Sequence, residues 1–542
     1  MKPLELFDIH QNHLVDEVGY LTRVYPLEGY NISHYSQQEY EAYIDSIQIF
    51  LNTIKRNFRF QIIRLANLNQ QDTFLNSKQT DDQFYQKSIE DMKQELEQNP
   101  ILNCDCFLAV TFINEEVKYD WLGRQKKVQI KPDVAIEKLD DCEKTVLNRL
   151  KLNPYLKATE LFQLCFRILN PNKSVYAMPD YNDRLCVSDQ LYHSPVEHEP
   201  DYLLMDGLVV GTINIELLPA LADVNFMANL NGEGHSMVSV YFQKADQEKE
   251  QSQLKIRRNI IGSTSTLVQD MFGTSHSGTS DIQSNQTQQE ITDVIHCLAT
   301  GEQELFLMSV CIVIVETTKE RLNQNLQKME TRLQAIHKCH AKQDRYNHFD
   351  NLLSCLPSQA NRNKTTHLVT TNALSVLLPF NGLFKGTSHE EVVLRSFSNQ
   401  RLAISLSKSD LSSAHGIVLA PTGKGKSFTI NYLIQQFMSN TDYTDITIID
   451  RGGSYRKSCL VNNGQYMSLD LEKEYAINCF VSKSEFLKQG INKEKLVFLR
   501  QFLTLAISEE NENSLKAYQE QLIEQTLVSF YEHLEKDQPI LS

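Results

Sequence analysis

The chain has no apolar run long enough to cross a bilayer as a helix. The longest, Leu305 to Val315, is eleven residues and is interrupted by Ser309. A spanning segment is therefore not expected, and membrane association would run through partners. The opening residues, Met1 to Asp8, read as too acidic and too poor in apolar residues for a leader. Net basic charge is also missing: 53 Lys and Arg face 68 Asp and Glu, for a net charge of −15. Such a balance gives no general attraction to nucleic acid or anionic lipid, and no strong basic patch stands out beyond the turn-like cluster Arg124 to Lys127. No Cys-x-x-Cys occurs among the eleven cysteines, which suits a reducing compartment. Cys104 and Cys106 share one face of a strand-like run and read as packed side chains. His337, Cys339 and His340 are crowded on a helix-like pattern without the spaced partners a metal needs. Gly-x-Ser-x-Gly and His-Glu-x-x-His are both absent, His389-Glu390-Glu391 matching only the start of the latter, and no convincing carboxylate pair appears.

One stretch does carry chemistry. Ala420, Pro421, Thr422, Gly423, Lys424, Gly425, Lys426 and Ser427 form a phosphate-binding pattern. The apolar burst Gly416-Ile417-Val418-Leu419 before it reads as a buried strand, and Phe428 to Met438 after it reads as a helix. Strand, tight loop and helix start is the arrangement a triphosphate requires. Loop N–H groups face the phosphates, Lys426 reaches the β- and γ-phosphates, and the Ser427 hydroxyl is placed to ligate Mg²⁺. The competing reading is an ordinary βα turn with surface lysines.

After the loop helix, Asp445 to Ile449 reads as a second buried strand ending at Asp450, followed by Arg451-Gly452-Gly453. Two parallel strands with a helix between them make an α/β unit, and ligands gather at the carboxyl ends of such strands. Asp450 is therefore expected to hold a water on Mg²⁺, to orient Lys426, or to cap the turn. A P-loop ATPase also uses an apolar strand ending in Asp-Glu. None follows Lys426 within residues 427–542, so that acid is expected beyond residue 542, and hydrolysis by this stretch alone is in question.

The region before residue 365 reads as α+β. Helices are expected over 39–56, 82–98, 133–151, 157–169, 245–259, 291–298 and 317–345, and strands over 60–65, 102–113, 237–242 and 305–315. Asp206-Gly207 marks a hairpin within 202–213. The apolar stripe Leu322, Leu326, Met329, Leu333 and Ile336 is expected to pack on its own sheet. A flexible loop is expected over about 261–290, where Gly273 to Gln288 is rich in Ser, Thr, Gln and Gly. Leu356 to Lys364 reads as a polar linker, dividing an N-terminal region, 1–365, from the N-terminal part of an ATPase domain, 366–542. Glu390 to Leu394 and Arg401 to Leu406 read as strands leading to the loop. Helices are expected over 494–507 and 514–535, the second presenting Leu515, Tyr518, Leu522, Leu527, Phe530 and Leu534.

Taken together, several of these residues resemble a family. The Pro421-Thr422-Gly423 loop, Phe428, Asp450 to Tyr455, Leu469-Asp470 and Ile477 to Phe480 resemble the conjugative ATPases of type IV secretion systems, the TraC/VirB group. Tyr25 to Tyr30, Leu356-Pro357, Asn372 to Leu374 and Leu377 to Phe380 are similar as well. The chain differs in Ala420 for Gly, Lys424 for Ser, Cys479 for Pro, and in lacking the Asp-Glu strand and later motifs. The resemblance implies a RecA-like P-loop NTPase domain, incomplete at its C-terminus, with ATP and Mg²⁺ as cofactors. It implies partners among the secretion-channel subunits, a hexameric ring, and a cytoplasmic position at the inner face of the inner membrane. It also implies a role in pilus assembly and in DNA or protein transfer. The alternatives are a truncated ATP-holding remnant and a DNA-translocating motor of the same broad class.

Overall fold

A computed structural model describes residues 8–16, 18–28, 35–69, 83–98, 101–113, 117–119, 125–127, 131–150, 152–172, 179–191, 195–219, 226, 230, 232, 234–253, 255–256, 292, 295–336, 339–378, 380, 391–395, 401–405, 415–421, 423–438, 445–468, 478–487, 490–507, 517–535 and 539. The loop expected over 261–290 lies outside them. The chain divides into two compact units, residues 1–446 and 447–542.

The first unit carries sixteen strands among the described residues: β1 (Asp8–His10), β2 (His13–Val15), β3 (Leu21–Pro26), β4 (Phe58–Asn69), β5 (Ile101–Phe112), β6 (Val117–Tyr119), β7 (Gln125–Lys127), β8 (Val196–His198), β9 (Leu203–Met205), β10 (Leu208–Leu217), β11 (His235–Lys244), β12 (Leu305–Glu316), β13 (His340–Gln343), β14 (His367–Thr370), β15 (Val392–Arg395) and β16 (Arg401–Ile404). Twelve of these form one sheet in the order β1-β2-β3-β5-β4-β11-β12-β10-β9-β8, with β13 on β10 and β14 on β12. Every ladder in it is antiparallel.

The central strands are buried on both faces, so they read as continuous apolar runs, yet their side chains still alternate. On β12, Phe306, Met308, Val310, Ile312 and Ile314 enter one core, while Cys311, Val313 and Val315 enter the other. Helices Gln37–Thr53, Pro132–Thr145, Lys319–Gln334 and Thr371–Leu377 cover the first face, and Ala158–Leu169, Val187–Leu191 and His348–Leu353 the second. The first of these begins at a capping box, in which Ser36 accepts from the Glu39 N–H while the Glu39 carboxylate accepts from the Ser36 N–H.

The stripe Leu322, Leu326, Met329 and Leu333 is buried against this sheet, as expected. A Cβ at Gly211 on β10 would lie 2.8 Å from Leu326 Cδ1, so glycine lets the helix approach that closely. The helix itself is shorter than its periodicity indicates. It stops at Gln334, and His340–Gln343 becomes β13, because the edge of β10 offers a ladder that outweighs another turn of helix. His340 thus stands on a strand rather than the expected helix.

The run Leu356 to Lys364 is not an exposed linker. Leu356 and Asn363 are buried, a 3₁₀ turn spans Ala360–Arg362, and Asn363 Nδ2 donates to Asn214 Oδ1 at 3.2 Å. Its polar side chains bond inward to the sheet, and a sequence reading mistakes them for solvent-facing ones. β14 lies past this run and is still part of the main sheet.

Near the sheet edge, Arg23 is 1% exposed. It donates to Asp140 Oδ1 at 2.8 Å and to Glu143 Oε2 at 2.7 Å, lies 4.4 Å above the Tyr155 ring, and sends Nε and Nη2 to His13 Nε2 at 3.1 and 2.9 Å. Because His13 Nε2 accepts, Nδ1 carries the proton and donates to the Gln11 carbonyl at 2.7 Å. Burial, then the Arg23 charge, push the His13 pKa down from its usual 6.5, against the opposing pull of Asp140. A depressed pKa means the unfolded chain takes up the proton first. This contribution to stability is full above about pH 6.5 and is lost as pH falls through the lower folded value. Melting temperature is therefore expected to fall more between pH 7 and pH 5 in the wild type than in His13→Gln, whose acceptor does not titrate. Parallel curves for the two proteins would remove His13 from the account.

The second unit is small. Helices Lys483–Phe486, Lys493–Ile507 and Ala517–His533 surround a core of Phe486, Leu496, Leu499, Leu527 and Tyr531, and the helix Arg456–Val461 buries none of its residues. Phe486 and Tyr531 stack at 3.9 Å, and the Tyr531 hydroxyl donates to the Val481 carbonyl at 3.0 Å. Lys483 Nζ donates to the Glu532 and Leu534 carbonyls at the C-terminal end of the last long helix, where a cation is favoured. Leu527 faces the core as expected, but Tyr518, Leu522 and Phe530 are largely exposed, at 64%, 60% and 43%. The buried stripe is turned toward Ile523, Leu527, Val528 and Tyr531. Among the described residues, no helix is long and apolar enough to cross a membrane.

Candidate functional site

β15 and β16 form an antiparallel hairpin, with Val392 opposite Ile404 and Arg395 opposite Arg401. The following segment, Gly416 to Leu419, joins no ladder among the described residues, and Ile417 and Leu419 are 85% and 89% exposed. The buried strand expected there is thus corrected. Apolar, β-branched residues make a segment eligible for a strand, but only a neighbouring strand makes it one.

The loop itself turns as its glycines require. The Lys424 N–H donates to the Pro421 carbonyl at 3.2 Å, and Gly423 and Gly425 sit at φ +80° and +86°. A Cβ at either would meet nothing within 4 Å, so glycine is needed there for backbone conformation and not for space. Thr422 lies outside the described residues.

The helix Lys426–Met438 follows at once. Its first i→i−4 bond runs from the Thr429 N–H to the Gly425 carbonyl at 2.9 Å, so by helical geometry the amides just before Thr429 have no acceptor within the helix. Lys424, Gly425 and Lys426 are exposed and Ser427 is half-buried. No acidic residue occurs from His415 to Met438. Two ammonium groups, a hydroxyl and a set of helix-start amides, in a stretch without a carboxylate of its own, make a donor-rich set suited to a phosphate chain.

The helix is anchored to the hairpin by a residue that the sequence does not flag. Gln436 is 1% exposed; its Oε1 accepts from the Val393 N–H at 3.0 Å and its Nε2 donates to the Val393 carbonyl at 3.1 Å. The Tyr432 hydroxyl donates to the same carbonyl at 3.4 Å. A glutamine in an amphipathic helix reads as a surface residue, and only its placement less than one turn after the apolar Leu433-Ile434 pair points otherwise.

Asp450 belongs to the second unit. Asp445 to Ile449 carries no strand assignment, and Ile449 is 99% exposed, so the second expected buried strand is corrected for the same reason as the first. Asp450 is exposed and leads into Gly452 and Gly453, at φ +131° and +73°, before the helix Arg456–Val461. Among the described residues, no cluster of three His, Cys, Asp or Glu could hold a metal.

The sequence profile of the TraG P-loop domain matches residues 402–542. Over that last quarter of the chain, which takes in the glycine loop and Asp450, the protein is similar to a P-loop nucleotide-binding family of conjugative transfer. No curated protein matches the chain.

Proposed function

We propose that the chain is an ATP-binding component of a conjugative type IV secretion machine of the TraC/VirB kind, energising pilus assembly and the transfer of DNA or protein. The observation behind this reading is the loop itself. Gly423 and Gly425 turn the backbone so that Lys426 and Ser427 open a helix beside a donor-rich loop, in a stretch similar to the TraG P-loop domain.

The residues divide the work by their chemistry. Backbone amides from Gly423 to Ser427 hold the phosphate oxygens, and the Lys426 ammonium neutralises the outer phosphates. Ser427 Oγ would be the protein's oxygen ligand for Mg²⁺, a hard cation, and Asp450 would be the carboxylate available to hold one of its waters. The metal would supply neutralisation of phosphate charge. The large-sheet region, through Phe380, serves as the platform that docks to the channel at the inner face of the inner membrane and joins copies into a hexameric ring, while the stretch from the β15–β16 hairpin onward contributes to a RecA-like motor.

The test is the melting temperature of the purified chain with ATP, with and without Mg²⁺, read beside phosphate release. A Mg²⁺-dependent rise with ATP is expected, and Asp450→Asn is expected to weaken binding of Mg²⁺–ATP more than of free ATP. Equal loss of both would assign Asp450 to the turn alone. A thermal rise without phosphate release favours a component that holds ATP without turnover. Tight, salt-dependent duplex DNA binding would favour a DNA motor. No ATP-dependent rise at all would overturn the reading.

A further inference from the structure

We infer that Gln436 is a positioning residue for the phosphate-binding loop: its amide clamps the loop's helix to β15 and so sets where Lys426 and Ser427 stand. The inference rests on the proposed nucleotide site but concerns a residue three turns away from it.

The helix Lys426–Met438 is held to β15 by polar side chains. Among its described residues only Ile434 and Gln436 are buried, so apolar packing alone grips it weakly. The segment leading into it, Gly416 to Leu419, is exposed and joins no ladder among the described residues, so it gives the loop little purchase from that side. The Gln436 amide provides a directional hold. It presents one acceptor and one donor to the N–H and C=O of a single residue, Val393, at 3.0 and 3.1 Å. This is the bonding pattern that a neighbouring strand would offer, supplied here by a side chain, and it fixes the rotation of the helix as well as its distance. Both bonds are buried, with Gln436 1% and Val393 7% exposed, so water does not readily replace either one. A helix rotated about this anchor carries its first residues with it, because Lys426 and Gln436 share one rigid element.

The geometry distinguishes an amide from a carboxylate. In Gln436→Glu a charged carboxylate still accepts from the Val393 N–H, but it turns a second acceptor toward the Val393 carbonyl. Protonation restores the donor and with it both bonds. Burial and the facing carbonyl raise the pKa of that new carboxyl. Tyr432, one turn earlier, is hydrogen-bonded to Gln436 and feels the charges of Glu95 on the helix Gln83–Gln98 and Arg395 on β15, while Glu391 just before β15 is buried. Burial raises the Tyr432 phenol, so it stays protonated through the range tested.

The experiment compares wild type, Gln436→Glu and Gln436→Met from pH 8 to pH 5.5. Two quantities are read, each as a ratio to wild type at the same pH: Mg²⁺–ATP affinity, and hydrogen-exchange protection of amides in residues 426–438 without nucleotide. For Gln436→Glu, affinity about tenfold weaker at pH 8 and within about twofold of wild type at pH 5.5 is expected, from one buried bond lost and regained. Protection should recover over the same range. Gln436→Met, close in size and unable to make either bond, should stay weak and flat with pH. A flat Gln436→Glu profile, or unchanged affinity in both variants despite lower melting temperatures, would reduce Gln436 to a fold-holding residue and overturn the inference. If the wild type binds no ATP, the nucleotide reading fails, while the pH-dependent protection of 426–438 still decides whether Gln436 clamps the helix.

Discussion

Lys426→Ala is expected to abolish the ATP-dependent rise in melting temperature while leaving the nucleotide-free melting temperature unchanged. The two halves of this expectation have separate causes. Lys426 opens its helix with an exposed side chain, so its removal leaves no cavity in the core. Its role is to meet charge that arrives with the ligand. A phosphate chain left without its principal cation is expected to bind at least about 100-fold more weakly, equivalent to about 2.7 kcal/mol. At an ATP concentration about 100 times the wild-type Kd, the wild type gains about 2.7 kcal/mol from binding and the variant about 0.4 kcal/mol. A thermal-shift titration reads that difference directly. A full shift in the variant would place the nucleotide elsewhere in the chain.

Tyr531→Ala is expected to unfold the second unit and leave the first intact. In a core whose fully buried members are Phe486, Leu496, Leu499, Leu527 and Tyr531, each side chain carries a large share of the total. Tyr531 is the largest of them and is 0% exposed. Its loss removes the stacking on Phe486 at 3.9 Å, opens a cavity, and leaves the Val481 carbonyl without its donor. Truncating a buried aromatic costs about 3–5 kcal/mol, a large part of the net stability of a domain this small. Limited proteolysis should then cut within residues 447–542 and spare the large sheet. Tyr531→Phe, which keeps the ring and loses only the hydroxyl, should cost about 1–2 kcal/mol and stay folded. A protease-resistant Tyr531→Ala chain would show that the stack contributes little.

How much of this was legible in the sequence depended on whether the deciding interaction was local. The turn at Asp206-Gly207 and the glycines of the loop are local, and each appears where the sequence points. The period-2 burial of β12 shows through its apolar run for the same reason. The boundary at Gln334 was not legible, because the continuing apolar pattern through Ile336 gives no warning that β10 has an open edge for His340–Gln343. Nor was the burial of Leu356 to Lys364, whose polar side chains bond to residues as distant as Asn214. At the candidate site, Lys426 and Ser427 announce themselves through spacing. Gln436 does not, since its partner is the backbone of Val393, 43 residues earlier. Gly416 to Leu419 and Asp445 to Ile449 show the converse: their composition signals strands, yet no ladder takes them in among the described residues.

The order of the large sheet also has a kinetic consequence. Strands β1 to β5, within residues 8–112, neighbour only one another on one side, and β8 to β14, within residues 196–370, neighbour only one another on the other side. Among the described residues one ladder joins the two sets, β4 with β11, pairing Ala66 with Ser236 and Arg59 with Gln243. The joining ladder pairs residues 170 to 184 positions apart, farther than the widest pairing within either half, Ile213 with Gln343 at 130 positions, so it closes the longest loop in the sheet. The two half-sheets are thus expected to form early and separately, and the merging of β4 with β11 to be the slow step that completes the core. During synthesis the first half can be assembled long before its partner leaves the ribosome, with β4 waiting as a temporary edge.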